Sequence, residues 1–252
     1  MWSIPLSRQP ELMDDPALPA ADHVHALEAL ARINAFSFTA ARIAAAAARL
    51  LAAAGHSPPQ TRPVELLDVA CGGGEVTAAV ARRLARRSGG RGVRALGIDM
   101  SPRALEHARQ NAGGGPDGPT VEFAVRDVVA AGCPECDIAF CSLFLHHLDD
   151  AAAAAVLAAM AAAARVGVVV SDLVRSPTGL VLARIGTLVL SRSRVARVDG
   201  PLSVRAARTP AEYRDLLAGA GLAGATVRGV WPERVMVEWP RPATTLPRET
   251  QR

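Results

Sequence analysis

The chain has 252 residues, half of them hydrophobic, 21% charged, with a formal net charge of +4. That length suits one large domain with its own core, and the composition excludes a wholly disordered protein. The 28 basic residues are all arginine, clustered in pairs at most and interspersed with 24 carboxylates, and aromatics reach only 4%. No nucleic-acid surface is therefore expected, since that needs a concentrated basic face and stacking platforms. Four cysteines are too few for a disulfide scaffold.

Residues 1–20 are proline-rich and read as irregular. They lack a basic region followed by an apolar one, so no signal peptide is expected and the default compartment is cytoplasmic. Asp22 is placed to cap a helix from about His23, with Leu27, Leu30 and Ile33 as its apolar stripe. A second helix is predicted from Thr39 to Ala54, ended by Gly55–Pro63. Residues 1–60 thus read as a helical extension or lid, 61–240 as the main domain and 241–252 as a tail.

From Val64 short β runs alternate with helical ones. Strands are predicted at Val64–Val69, Arg94–Ile98, Val121–Val125, Cys136–Cys141 and Val166–Ser171. Helices are predicted at Glu75–Arg87, Pro102–Asn111 and Asp149–Ala164, with a loop at Gly113–Pro119. Such alternation argues for an α/β fold, a parallel sheet with helices on both faces. Cys133-Pro134-Glu135-Cys136 is one C-x-x-C pair without a second, so no metal site is expected. The longest apolar stretch, Ala151–Val174, is interrupted by Arg165, Gly167 and Asp172 and reads as a helix followed by a strand, not a membrane span.

Residues 172–208 break the alternation. Asp172, at the end of the fifth strand, is placed either to reach a substrate cleft or to cap. Leu180–Leu190 reads as an apolar helix, a lid or a membrane-surface element. Asp199-Gly200-Pro201 reads as a turn into an extended segment, where Arg205 can meet an acidic substrate group or lie exposed. Thr209-Pro210-Ala211-Glu212 opens another helix. Strands near Ala225–Val230 and Arg234–Trp239 are too close for a parallel crossover and must form an antiparallel hairpin.

Chemistry concentrates at the strand ends. Asp68-Val69-Ala70-Cys71-Gly72-Gly73-Gly74 joins a buried strand to a helix. Its glycines admit a ligand close to the backbone, and the helix start offers free N–H groups. A dinucleotide turn needs a third glycine where Thr77 stands, and Asp68 would repel a pyrophosphate. Asp99 ends the next strand and can accept from ribose hydroxyls. Asp127 ends the third and can accept from an adenine amine. Three carboxylates at three strand ends suit a nucleoside with a positively charged attachment. After the fourth strand comes Ser142-Leu143-Phe144-Leu145-His146-His147. Either histidine can serve as a general base near neutral pH, or cap the next helix, and spacing does not separate them.

These motifs resemble the class I S-adenosylmethionine-dependent methyltransferases. In that family the first turn reads D/E-x-G-x-G-x-G, and here Ala70 replaces the first glycine. The resemblance covers about residues 60–240. It implies a seven-stranded sheet in the order 3-2-1-4-5-7-6 with the last strand antiparallel. It also implies S-adenosylmethionine as cofactor. Asp68 and the Ala70–Gly74 backbone, including Cys71, Gly72 and Gly74, would hold the methionine end. Asp99 would hold the ribose, Met100 would pack on the adenine, and Asp127 with Val128 would read its edge. Ser142 would lie beside the sulfonium, and residues 172–208 would build the substrate pocket. No Asn-Pro-Pro-Tyr segment follows the fourth strand, which argues against amino-methylation of DNA bases or glutamine. The segment most resembles bacterial quinone and natural-product methyltransferases of secondary metabolism. The expected activity is O- or C-methylation of a small phenolic, quinone or polyketide-like acceptor. The alternatives are a non-catalytic cofactor-binding scaffold and an NAD-binding oxidoreductase.

Overall fold

Near-continuous apolar runs such as Val64–Val69 and Val166–Val170 belong to strands covered on both faces. The computed structural model, which describes residues 4–55, 62–87, 92–111 and 118–242, places them so. Strands β1 (Val64–Val69), β2 (Val93–Asp99), β3 (Thr120–Val125), β4 (Cys136–Ser142) and β5 (Ala164–Leu173) pair in parallel. Strands β6 (Thr226–Val230) and β7 (Arg234–Pro240) form the hairpin, with β7 antiparallel to β5. The sheet order is β3-β2-β1-β4-β5-β7-β6, as expected.

The helices are α1 (Ala20–Phe36), α2 (Thr39–Ala53), α3 (Glu75–Ala85), α4 (Pro102–Asn111), α5 (Val128–Ala131), α6 (Asp150–Ala163), α7 (Pro177–Leu190), α8 (Arg194–Ala206) and α9 (Pro210–Gly219). Alternate strand residues face two cores. Leu66, Ile138, Phe140 and Val169 meet Ile43 and Leu50 of α2 and Val76 and Val80 of α3. Leu67, Val69, Ala139 and Val168 meet Val156, Leu157 and Met160 of α6 and Tyr213 and Leu216 of α9. Small residues allow close approach where the sheet turns antiparallel: a Cβ on Gly167 would lie 2.4 Å from the Trp239 carbonyl.

Two local expectations change. The first helix begins at Ala20 behind Pro19, and Asp22 sits in its first turn, where a negative charge favours the helix start. Asp199-Gly200-Pro201 lies inside α8, not in a turn. Gly200 is held there by packing, since a Cβ would come within 2.6 Å of Thr187 Cγ2 on α7. The Asp199 carboxylate is spent on the N-terminal segment, accepting from the Leu12 and Met13 N–H groups at 2.9 and 3.0 Å. Finally, α7 buries only Gly179 and Thr187 and exposes Val181, Leu182, Ile185, Leu188 and Val189. No single helix among the described residues is long and apolar enough to cross a membrane. Most of the predicted loops at 55–63 and 113–119, and of the tail from 241, lie outside the described residues.

Candidate functional site

All five parallel strands end on one edge of the sheet, and the turn between β1 and α3 lies there. Ala70, Gly72 and Gly74 take φ values of 58°, 53° and 74°. Glycine tolerates that region freely; alanine pays about 1–2 kcal/mol. So Ala70 stores strain in the turn. At Gly74 a Cβ would lie 2.5 Å from Phe123, so packing and conformation both require glycine. Gly72 has nothing closer than Leu27 Cδ2 at 4.0 Å, which leaves its backbone approachable. Cys71 is buried in the same turn, and burial pushes its thiol far above its ordinary range.

Asp68 is buried at 1% exposure. Its Oδ2 accepts from the Thr77 hydroxyl at 2.6 Å, and its Oδ1 has no partner. Burial raises its pKa well above the usual carboxylate range; the Thr77 bond opposes this, and the charges of Glu75 and Asp99 add to it. Thr77, which departs from the dinucleotide pattern, is thus the partner of Asp68.

Asp99 ends β2 and pins the turn: Oδ2 accepts from the Gly72 N–H at 2.9 Å and Oδ1 from the Ser101 N–H at 2.8 Å. Each oxygen keeps a further lone pair. Beside it Met100 is 66% exposed, an apolar side chain without cover. Asp127 caps α5, its Oδ1 accepting from Val129 and Ala130 at 2.8 and 3.2 Å, which leaves Oδ2 open. Val128 is buried behind it. Ser142 is half-buried at the end of β4 in register with Ser171.

The two histidines differ in ways their spacing does not reveal. A short 3-10 helix, Leu145–His147, carries both, and Asp149 caps α6, so neither histidine has that task. His146 is buried, and its Nδ1 lies 2.7 Å from Oδ1 of the fully buried Asp172. Asp172 Oδ2 also accepts the His146 backbone N–H at 3.2 Å. Burial raises the Asp172 carboxyl, but the charge and hydrogen bond of His146 and the Leu173 N–H outweigh it, so its pKa ends below the ordinary value. His147 lies at the rim. Burial lowers its pKa, but Asp14 and Glu11 outweigh burial and raise it to about 9. His147 is therefore cationic at neutral pH.

Residues distant in sequence complete the site. Arg208, 2% exposed, donates to the carbonyls of Leu145 at 2.6 Å and Leu148 at 2.9 Å and to Asp150 at 2.7 Å, fixing the turn that bears the histidines. Asn34 on α1 donates to Glu75 at 3.1 Å. His23, also on α1, is buried with an unpartnered Nδ1. Arg205, by contrast, is exposed. At the strand starts, on the far edge, lies a cavity of about 300 Å³ lined by Glu65, Arg94, Thr120 and Cys136. Cys133 and Cys136 lie at that edge, their thiols pushed up by burial to about 11 and about 12.

Residues 66–167 match a family model described as a methyltransferase domain. No curated protein matches the chain by sequence. Among solved structures, the chain is similar to magnesium protoporphyrin IX methyltransferase from Synechocystis with bound S-adenosylhomocysteine. The identity is 21% and the TM-score 0.54, over 82% of this chain and 84% of that one. Human N-acetylserotonin methyltransferase with S-adenosylmethionine gives 17% identity and a TM-score of 0.57, over 93% of this chain and 63% of that one. An O-methyltransferase family 2 protein from Planctomyces limnophilus in complex with apigenin gives 19% and 0.52, over 74% of this chain and 52% of that one. The chain thus spans little more than half the length of the last two. At these identities the likeness establishes the fold, and the match to the methyltransferase-domain model extends over residues 66–167.

Proposed function

We propose that this protein transfers the methyl group of S-adenosylmethionine to a small phenolic, quinone or polyketide-like acceptor, at oxygen or carbon, with His146 as the base. The observation that carries the base assignment is the buried His146–Asp172 pair. Asp172 accepts the Nδ1 proton, so the free lone pair of the imidazole is on Nε2. That nitrogen lies 3.8 Å from Glu11, too far for a hydrogen bond, and is available to take a proton. His147, already cationic, is not.

The turn fits the cofactor by the chemistry of its donors and acceptors. Asp68 offers a buried, unpartnered oxygen, which suits an ammonium group. Asp99 keeps lone pairs for ribose hydroxyls, Met100 exposes an apolar surface for the adenine, and Asp127 keeps Oδ2 for its amine. Ala70, Cys71, Gly72 and Gly74 line the turn, Val128 supports the adenine edge, and Ser142 lies at the next strand end. When bound, S-adenosylmethionine supplies a methyl group on a sulfonium, already a strong electrophile. The chain's own work is alignment, exclusion of water and removal of one proton. Glu11 and Asp14 lie against the histidines, and Leu27 of α1 lies over Gly72 and Gly73. His146 takes the proton of an acceptor hydroxyl at Nε2, and Asp172 stabilises the imidazolium that results.

Calorimetry with S-adenosylmethionine and with NAD, followed by a radiolabelled methyl-transfer screen of phenols, quinones and polyketides, tests this reading. Micromolar-range binding of the first, none of NAD, and a labelled product are expected. Binding of NAD alone would point to an oxidoreductase. Cofactor binding without transfer to any acceptor would point to a scaffold.

A further inference from the structure

Around the histidines, side chains converge in a pattern that one catalytic base does not require. His146 Nε2 lies 3.8 Å from Glu11 Oε1, and His147 Nε2 lies 4.0 Å from Glu11 Oε2. All three groups offer ligand atoms within 4.8 Å of one another. The imidazoles stack with centroids 4.4 Å apart, tilted by 31°. Both turn Nδ1 outward to a carboxylate: His146 to Asp172 at 2.7 Å, His147 to Asp14 at 3.4 Å. Metal-bound histidines are held in this way, one nitrogen on the ion and the other donating to a carboxylate.

The gaps point the same way. Separations of 3.8–4.0 Å are too long for hydrogen bonds. They approach the spacing of ligands that each sit about 2.0–2.2 Å from a tetrahedral ion. The carboxylate is also held in place. Glu11 Oε1 accepts from the Ser203 hydroxyl at 2.5 Å, and the next two N–H groups of the chain bond to Asp199. Charge is out of balance as well. Glu11, Asp14, Asp172 and the buried Asp199 surround two imidazoles. Arg234 also bears on Asp172. Partly buried carboxylates are ordinarily paired or bound to metal.

We propose that Glu11, His146 and His147 form a site for a divalent transition ion of the zinc class, and that the ion switches methyl transfer off. Two imidazole nitrogens, that of His147 giving up its proton to solvent as the ion binds, and one carboxylate make the three-protein-ligand set that leaves a fourth position for water. An ion there occupies Nε2 of His146, the nitrogen that would take the acceptor's proton. Metal binding stands on geometry alone; the inhibition rests on the function proposed above.

The test uses the full-length protein stripped with EDTA and titrated with Co²⁺, then Zn²⁺. Expected are one equivalent of Co²⁺ with the visible bands of a tetrahedral ion, and displacement of it by Zn²⁺. Glu11→Gln and His147→Gln should each weaken Zn²⁺ binding at least tenfold, and Asp14→Asn about 10–100-fold as an outer-shell partner. S-adenosylmethionine binding and circular dichroism report that each variant is folded. Zn²⁺ at one equivalent should suppress methyl transfer at least tenfold, reversed by EDTA. Absent stoichiometric binding, or binding that Glu11→Gln and His147→Gln leave unchanged, overturns the site. Zn²⁺ that binds without inhibiting, or that activates, overturns the switch. Should no acceptor ever be methylated, the activity reading fails while the Co²⁺ bands still decide the site.

Discussion

At the scale of single residues, the Asp172–His146 pair makes the sharpest statement. A buried carboxylate beside an imidazole does two things: it fixes the tautomer and stabilises the cation formed on proton uptake. His146→Gln keeps hydrogen bonding but cannot act as a base near neutral pH. It should lower kcat about 10²–10⁴-fold on an acceptor that must lose a proton. Asp172→Asn keeps the shape and removes the charge, so it should lower kcat in the same direction. In both variants the dissociation constant for S-adenosylmethionine should hardly change, because Asp68, Asp99 and Asp127 lie on other strand ends. Calorimetry and steady-state kinetics on the folded variants check the separation. Turnover within a few-fold of the parent would leave alignment as the sole contribution of this edge. At Asp99 the prediction reverses. Asp99→Ala removes acceptors from the Gly72 and Ser101 N–H groups as well as from the ribose, so cofactor affinity should fall by about 1.5–3 kcal/mol. An unchanged dissociation constant in a folded Asp99→Ala protein would exclude it from the site.

At the scale of elements, the site depends on turns held from afar. The 3-10 turn bearing the histidines has its carbonyls capped by Arg208, which is 63 residues from Leu145. Arg208→Met leaves the Leu148 carbonyl without its Arg208 donor and the Leu145 carbonyl with only the Leu148 N–H, at about 1–3 kcal/mol. A lower urea midpoint and a loss of methyl transfer are expected together. Arg208→Lys, which keeps the charge but not the planar fork, should recover stability only in part. A midpoint unchanged in Arg208→Met would show that the turn holds itself. Such ties explain which elements were legible in the sequence. The sheet was, because strands buried on both faces write apolar runs, and a parallel topology sends Asp68, Asp99, Asp127 and Asp172 to one edge. The hairpin was, because its spacing allows nothing else. Helix α8 was not: Asp199-Gly200-Pro201 carries every local sign of a turn, and only the packing of Gly200 on Thr187 overrides it. Glu11 and Asp14 were not, since a proline-rich segment gives no periodic signal of what it covers. The asymmetry between His146 and His147 likewise arises from contacts made by residues 11, 14 and 172.

At the scale of the whole molecule, charge is sorted along the strands. The strand starts carry a closed network in which Arg62 and Arg165 pair with Glu65 and Asp137. At the strand ends and the start of α3, Asp68, Glu75 and Asp99 form no ion pair among the described residues, in a chain whose net charge is +4. On the function proposed above, a fold arranged this way gives up stability at its binding edge, and a cationic ligand would restore it. Asp68 is the clearest instance. Its carboxyl is raised well above the ordinary value, chiefly by burial. The folded state therefore binds its proton more tightly than the unfolded chain does. Stability from this group is present at low pH and is lost as pH rises from the ordinary carboxylate range through the raised value. Asp68→Asn removes that loss. Without ligand, the variant should melt at a higher temperature than the parent at pH 7, and the difference should shrink as the pH is lowered. With S-adenosylmethionine the order should reverse: the parent gains a large ligand-induced shift in Tm, and the variant, lacking the anion for the ammonium group, gains a small one. Thermal melts across pH, with and without cofactor, read both effects in one experiment. An Asp68→Asn protein that is less stable than the parent and shifts equally with cofactor would show Asp68 to be a structural partner of Thr77 and nothing more.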